Sequence, residues 1–383
     1  MNSRLRVWLS RLATFWGREE RQVLGLNLAL HTAVQVLALQ FMPLPYYSRL
    51  STHDGNTYYR ISENLWSQRP IALLSWHKRI LLPVLANIVF PWNKEISFLI
   101  IGIAAASLSA VFFYKVAAKY ADHAFQLTVL YSVLPWLLFA AHHGLNEPLM
   151  MLFLLAGYYY YLQGRDWTSA ACISLAILSK ELAALPALAM GILYVRRHGW
   201  RRALVFATAL LPVAVFAIAY GIRWGNMWWY LQESAGTEIE SYLSFRTPFY
   251  WMYWTLVNGT QSSANPTVAL VYDVLGQALN VVVLASTAVG VYLLGRTNPD
   301  LALLNLISIV PLWFLGRNQY MLNSSLGRQF LIASTTILAY DRWVKDGSRG
   351  WRVLFSMAIV AMLLVGMLWV ILYSKFFLFY KIV

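Results

Sequence analysis

The sequence predicts an all-α fold, a polytopic bundle of transmembrane helices, and three observations carry that expectation. First, the 383 residues are 59% hydrophobic and only 12% charged, with a mean hydropathy of +0.54, far from the usage of a soluble domain. Second, the charges fall in short clusters between apolar runs of roughly 15 to 25 residues, the length a bilayer demands of a helix. Third, Trp and Tyr crowd into the segments between some of these runs, and such rings with one polar atom suit the headgroup layer.

Taken in order, the N-terminal stretch MNSRLRVWLSRLATFWGREERQ is basic and lacks an apolar core followed by a small-residue cleavage site, so no removable signal peptide is expected. Residues 1–21 read instead as an amphipathic helix on the cytoplasmic face. Apolar runs then follow at about 22–43, 97–115, 124–141, 147–163, 168–180, 182–196, 203–222, 268–294, 299–315, 329–342 and 353–374, which makes about eleven crossings. The runs at 168–180 and 182–196 are short and are expected to form a hairpin that turns within the membrane near LSKELAALP.

The Lys/Arg bias agrees with that register. Lys115, Lys119, Arg165, the RRHGWRR cluster, Arg296 and the group Arg342, Lys345, Arg349 and Arg352 all fall on the N-terminal, cytoplasmic side. The outer side then holds residues 44–95, 224–265 and about 317–328. Trp66, Trp76 and Trp92 in the first, and WGNMWWYLQESAG and FRTPFYWMYW in the second, predict amphipathic juxtamembrane helices lying along the outer surface. No internal repeat or low-complexity linker divides residues 1–383, so a single integral membrane domain is expected. The net charge of +14 is explained by topology, and no nucleic-acid motif accompanies it. The single cysteine, Cys172, lies in an apolar run and reads as a packing residue.

Candidate chemistry concentrates on the outer side. In STHDGNTYYRISEN, Asp54, Tyr58 and Ile61 are spaced to share one face of a helix along the membrane. Asp54 is either a reactive carboxylate or the cap of that helix, and spacing alone leaves both open. His77, Lys78 and Arg79 in WHKRILLPVLA could grip a phosphate, or each could anchor to lipid headgroups. His142, His143, Asn146 and Glu147 mark the turn HHGLNEP, where Glu147 is either a site residue or a carboxylate favoured at a helix N-terminus. The adjacent histidines match no strong metal motif, because neighbouring helical residues point about 100° apart.

Lys180 and Glu181 interrupt a long apolar stretch, and ionisable groups at membrane depth imply a partner or a cavity. They either neutralise one another or meet other charges across the bundle. Arg317 and Arg328 flank a short polar connection containing Gln319, Tyr320 and Asn323, and two guanidiniums there could hold a phosphate or diphosphate.

The order of HDGNTYYRIS, NEP, the segment GRDWTSAACISLAILSKELAALPAL and LSWHKRILLPVLA resembles the membrane glycosyltransferases of the C-type fold (GT-C), over most of residues 22–200. These enzymes take a sugar from a polyprenyl-phosphate carrier. The resemblance implies a GT-C-like bundle in a bacterial or archaeal plasma membrane, a polyprenyl-phosphate-sugar donor, a lipid or glycan acceptor, and Asp54 as general base for an inverting transfer at the outer face. Arg317, Arg328, Lys180 and the His77–Arg79 cluster would stabilise the phosphate leaving group, with Tyr58, His143, Glu147 and Glu181 lining the site. No cofactor is required by that chemistry, and a divalent metal is optional. This sequence departs from the family in carrying His53 beside Asp54 where a second acidic residue or a flanking Trp is more familiar. Two rivals stay open: an O-antigen ligase or polymerase acting on lipid-linked glycans, and a secondary transporter with Lys180 and Glu181 as its coupling pair.

Overall fold

The computed structural model describes residues 17–41, 54–72, 74–232, 276–310, 323–341, 344 and 349–380, and every regular element among them is helical. The first long helix, α1 (Arg18–Phe41), opens with Glu19 and Glu20, carboxylates that suit the positive end of the helix dipole. Residues 1–16, most of the expected cytoplasmic amphipathic helix, lie outside the described residues. The segment after α1 contains three short helices, α2 (Asp54–Glu63), α3 (Leu74–His77) and α4 (Leu81–Val89). The long α5 (Lys94–Ala117) begins after Asn93, whose side chain accepts the otherwise free Ile96 N–H at 3.0 Å.

Helices α6 (Ala124–Ser132) and α7 (Pro135–His142) form one broken leg, bent by 52°. The cause is local: Leu134 precedes a proline and takes an extended ψ of 121°, while Pro135 is well placed in the first turn of α7. Then come α8 (Glu147–Leu162), α9 (Asp166–Ser179), a 3₁₀ turn at Glu181–Ala183 and α10 (Ala184–His198). The Tyr194 hydroxyl near the end of α10 donates to Asp166 at the start of α9 at 3.3 Å. The two helices therefore run antiparallel, and the expected hairpin turns at Lys180, which is fully extended (φ −159°, ψ 126°). The chain continues through α11 (Trp200–Ala207), α12 (Leu210–Trp224), α13 (Gly276–Thr297), α14 (Pro299–Ile309), α15 (Asn323–Phe330), a 3₁₀ run at Leu331–Tyr340 and α16 (Arg349–Tyr380).

The centre of the bundle is α5, which packs against α1, α4, α6, α7 and α8. It buries 61% of its apolar stretch, against 28% for α1 and 17% for Val353–Ile371, so the outer helices keep apolar surface free for lipid. Close crossings rely on small residues, as in membrane bundles generally. A Cβ added to Gly102 of α5 would collide with the Ala141 backbone of α7, and one on Gly157 of α8 would meet Ile173 of α9 at 2.8 Å.

Every expected apolar run is helical where it is described, but the count of crossings needs correction. Four helices among the described residues are long and apolar enough to cross a membrane, and the bent α6–α7 pair makes five. Several others fall short in length: α8, α9, α10 and α14 have 16, 14, 15 and 11 residues, roughly 17 to 24 Å at 1.5 Å per residue, against a hydrocarbon core of about 30 Å. The fold is an all-helical, multi-pass membrane bundle.

Its two ends differ in chemistry. At one, Lys115 pairs with Glu20 at 2.6 Å, Arg202 with Asp166 at 3.4 Å, His123 with Asp341 at 3.3 Å, and Arg197 with Asp300. The other lies about 24 Å away along α8 and gathers the residues described next, beside the exposed indoles of Trp66, Trp92 and Trp228.

Candidate functional site

Helix α2 turns Tyr58 and Ile61 inward, 2% and 0% exposed, and leaves the Asp54 side chain on the same face with 26% of its surface accessible. The predicted one-sided spacing is thus realised. Asp54 Oδ2 lies 3.6 Å from Arg328 Nη1, and the same guanidinium nitrogen lies 3.1 Å from Glu147 Oε1. That carboxylate oxygen also accepts from Lys180 Nζ at 2.7 Å. One buried oxygen, on a residue 3% exposed, therefore holds two cations, themselves 3% and 5% exposed. Charges are stable at such burial only when paired and hydrogen-bonded.

A second group adjoins the first through the helix break at Lys180. Arg79 donates from Nε and Nη2 to the two oxygens of Glu181 at 2.8 and 2.5 Å, the planar fork that arginine alone offers a carboxylate. Its Nη1 donates to the Tyr58 hydroxyl at 2.9 Å. Lys180 and Glu181 do not neutralise one another: each reaches across the bundle, one to α8 and the other to Arg79. The extended backbone at Lys180 lets adjacent residues do this, because helical neighbours would diverge by only 100°.

Not every predicted site residue joins the cluster. His77 is a structural acceptor: its Nε2 takes the backbone N–H groups of Ile71 and Ala72 at 3.0 and 3.3 Å, and its ring meets Trp224 edge-on at 5.0 Å. Burial pushes this imidazole down to about 4, which favours its neutral form at pH 7. Lys78 lies over the Tyr230 ring, 5.6 Å from its centroid. His143 is fully buried and stacks on Phe139 at 4.3 Å. Arg317, with Gln319 and Tyr320, lies outside the described residues, as does most of the aromatic segment 224–265 beyond Gln232. Among the described residues no group of three or more His, Cys, Asp or Glu is placed to hold a metal ion.

Sequence reasoning missed the polar stripe of α1. Asn27, His31 and Gln35 in LNLALHTAVQ recur every four residues, a spacing that puts them on one face. The His31 Nδ1 lies 3.2 Å from His142 Nε2, and His142 Nδ1 lies 3.0 Å from Gln35 Oε1. The stripe ties α1 to the end of α7, immediately before the turn that carries Glu147.

Gly327, the residue before Arg328, helps line an apolar cavity of about 450 Å³, with Leu130, Leu134, Trp136, Phe330 and Phe355 among its other walls. Gly327 forms part of its wall because a side chain there would run into the Trp136 indole. The cavity is apolar enough to suit a hydrocarbon chain, and Gly327 links its wall to the ionic cluster, none of whose charged residues lines it. No protein-family model matches this chain, and no curated protein matches it in sequence.

Proposed function

We propose that the protein transfers a sugar from a polyprenyl-phosphate carrier to a lipid or glycan acceptor, with Asp54 as general base, at the outer face of the membrane. One observation carries the reading: residues as far apart as Asp54, Glu147, Lys180 and Arg328 meet in one ionic cluster, adjacent through Gly327 to an apolar cavity. A polyprenyl phosphate has that same polarity, an anion on a hydrocarbon chain. Asp54 is the more accessible of the two carboxylates that pair with Arg328, at 26% against 3% for Glu147, which suits a group that must meet an incoming hydroxyl.

In the reaction Asp54 takes the proton of the acceptor hydroxyl as that oxygen bonds to the anomeric carbon. The bond from that carbon to the phosphate oxygen breaks, configuration inverts, and the carrier phosphate leaves with one more negative charge. Lys180 and Arg328 stand where that charge would develop. Outer placement is supported by the basic residues gathered at the opposite end, Lys115, Arg196, Arg197 and Arg202 among them.

The test is transfer from synthetic farnesyl-phosphate hexoses and pentoses by purified protein in proteoliposomes, for wild type and Asp54→Asn. The expected result is a glycosylated product whose rate falls by about 10² to 10⁴ in the variant. Full activity in Asp54→Asn would favour a ligase that needs no carboxylate, and ion-dependent uptake without product would favour a transporter.

A further inference from the structure

Asn146 holds buried polar chemistry that the fold does not use. It occupies the cap position of α8, yet its backbone is already helical (φ −79°, ψ −15°) and its side chain makes no capping bond. It is 1% exposed, and neither Oδ1 nor Nδ2 has a hydrogen-bond partner. Part of the surrounding turn is held by backbone bonds. Leu145 N donates to Ala140 O at 3.2 Å, Met150 N donates to Asn146 O at 3.0 Å, and Gly144 takes the positive φ of 62° that lets the chain reverse after α7. These bonds use the Asn146 carbonyl but not its side-chain amide.

Burying an unmet amide disfavours folding, and an apolar side chain in its place would avoid that penalty. A polar group kept under those terms marks a position where something outside the fold supplies the missing partners. The next residue is Glu147, whose carboxylate holds Lys180 and Arg328, with Cα atoms about 3.8 Å apart. We infer that the Asn146 amide contacts the sugar of the donor, giving a hydrogen bond to one hydroxyl and taking one from another. This rests on the donor-binding role proposed above. A neutral amide suits that role because it offers both donor and acceptor. Unlike aspartate, it adds no fourth carboxylate beside Asp54, Glu147 and Glu181 where an anionic carrier must enter.

The test pairs stability with kinetics in Asn146→Leu, measured with a farnesyl-phosphate sugar that wild type transfers and with its monodeoxy analogues. The variant is expected to unfold at or above the wild-type temperature while its KM for the intact donor rises about tenfold or more, the effect of losing hydrogen bonds to substrate. One deoxy analogue should be penalised in wild type and not further penalised in the variant. An unchanged KM, or deoxy penalties that persist undiminished in Asn146→Leu, would overturn the inference and show that an internal water satisfies the amide. Absence of transfer by wild type from every donor would overturn the proposed function and this inference with it, so the two failures are distinguishable.

Discussion

Glu147 Oε1 accepts from Lys180 Nζ at 2.7 Å and faces Arg328 Nη1 at 3.1 Å, so its removal would strand two cations in a buried site. Breaking a buried pair from one side costs about 3 to 5 kcal/mol. Glu147→Gln should therefore lower unfolding stability in nanodiscs by about that amount, and Glu147→Asp should lose less. His77 gives a pH-dependent prediction. Its folded pKa of about 4 lies below the ordinary 6.5, so between those values the folded state binds fewer protons than the unfolded chain. Its stabilising contribution is present above pH 6.5 and fades as pH falls toward 4. Unfolding temperatures measured from neutral to acid pH should fall less steeply for His77→Gln, whose amide oxygen can accept the same N–H groups.

At the scale of elements, the bundle depends on where glycine permits contact. Gly102→Ala would push a methyl into the Ala141 backbone, whereas Gly295→Ala meets nothing within 4 Å. Gly102→Ala should destabilise by about 1 to 3 kcal/mol, as overpacking does, and Gly295→Ala should be neutral or stabilising by up to about 1 kcal/mol. Thermal unfolding of the two variants side by side checks the contrast. The helices themselves were legible in the sequence because apolar runs and prolines are local signals. LSKELAALP announced the turn at Lys180, whereas the break at Leu134–Pro135 falls inside the run at 124–141, which reads as one uninterrupted span. Which helices are long enough to cross was only partly legible: the runs at 168–180 and 182–196 read as short, but the run at 329–342 reads as one span and holds the end of α15 followed by a 3₁₀ run.

For the molecule as a whole, the exposed basic residues Arg196, Arg197 and Arg202 gather at one end and the buried ionic cluster at the other. Cys172 is the only cysteine, so a cysteine-free Cys172→Ala background allows single-site labelling. Cysteines placed at Trp92 and at Trp200, which are 77% and 64% exposed, should react with an impermeant maleimide from opposite sides of the membrane, Trp92 from outside. Much of the candidate site was legible from ionisable residues stranded among apolar ones: Asp54, Arg79, Glu147, Lys180, Glu181 and Arg328 all meet there. Their pairing was not, because it depends on which helices touch. The sequence set Lys180 beside Glu181, while the fold gives each a partner from a distant segment. The α1 stripe of Asn27, His31 and Gln35 escaped notice because uncharged polar residues barely interrupt an apolar run.

The proposal that Lys180 and Arg328 together bind the carrier phosphate is tested most directly by ligand-induced stabilisation. Unfolding of wild type, Lys180→Gln and Arg328→Gln would be followed against increasing farnesyl phosphate, each relative to its own ligand-free baseline. Wild type should gain stability with concentration, by about 2.7 kcal/mol at one hundred times Kd, and both variants should need far more ligand for the same gain. Equal stabilisation of all three proteins, or none in the wild type, would contradict the account.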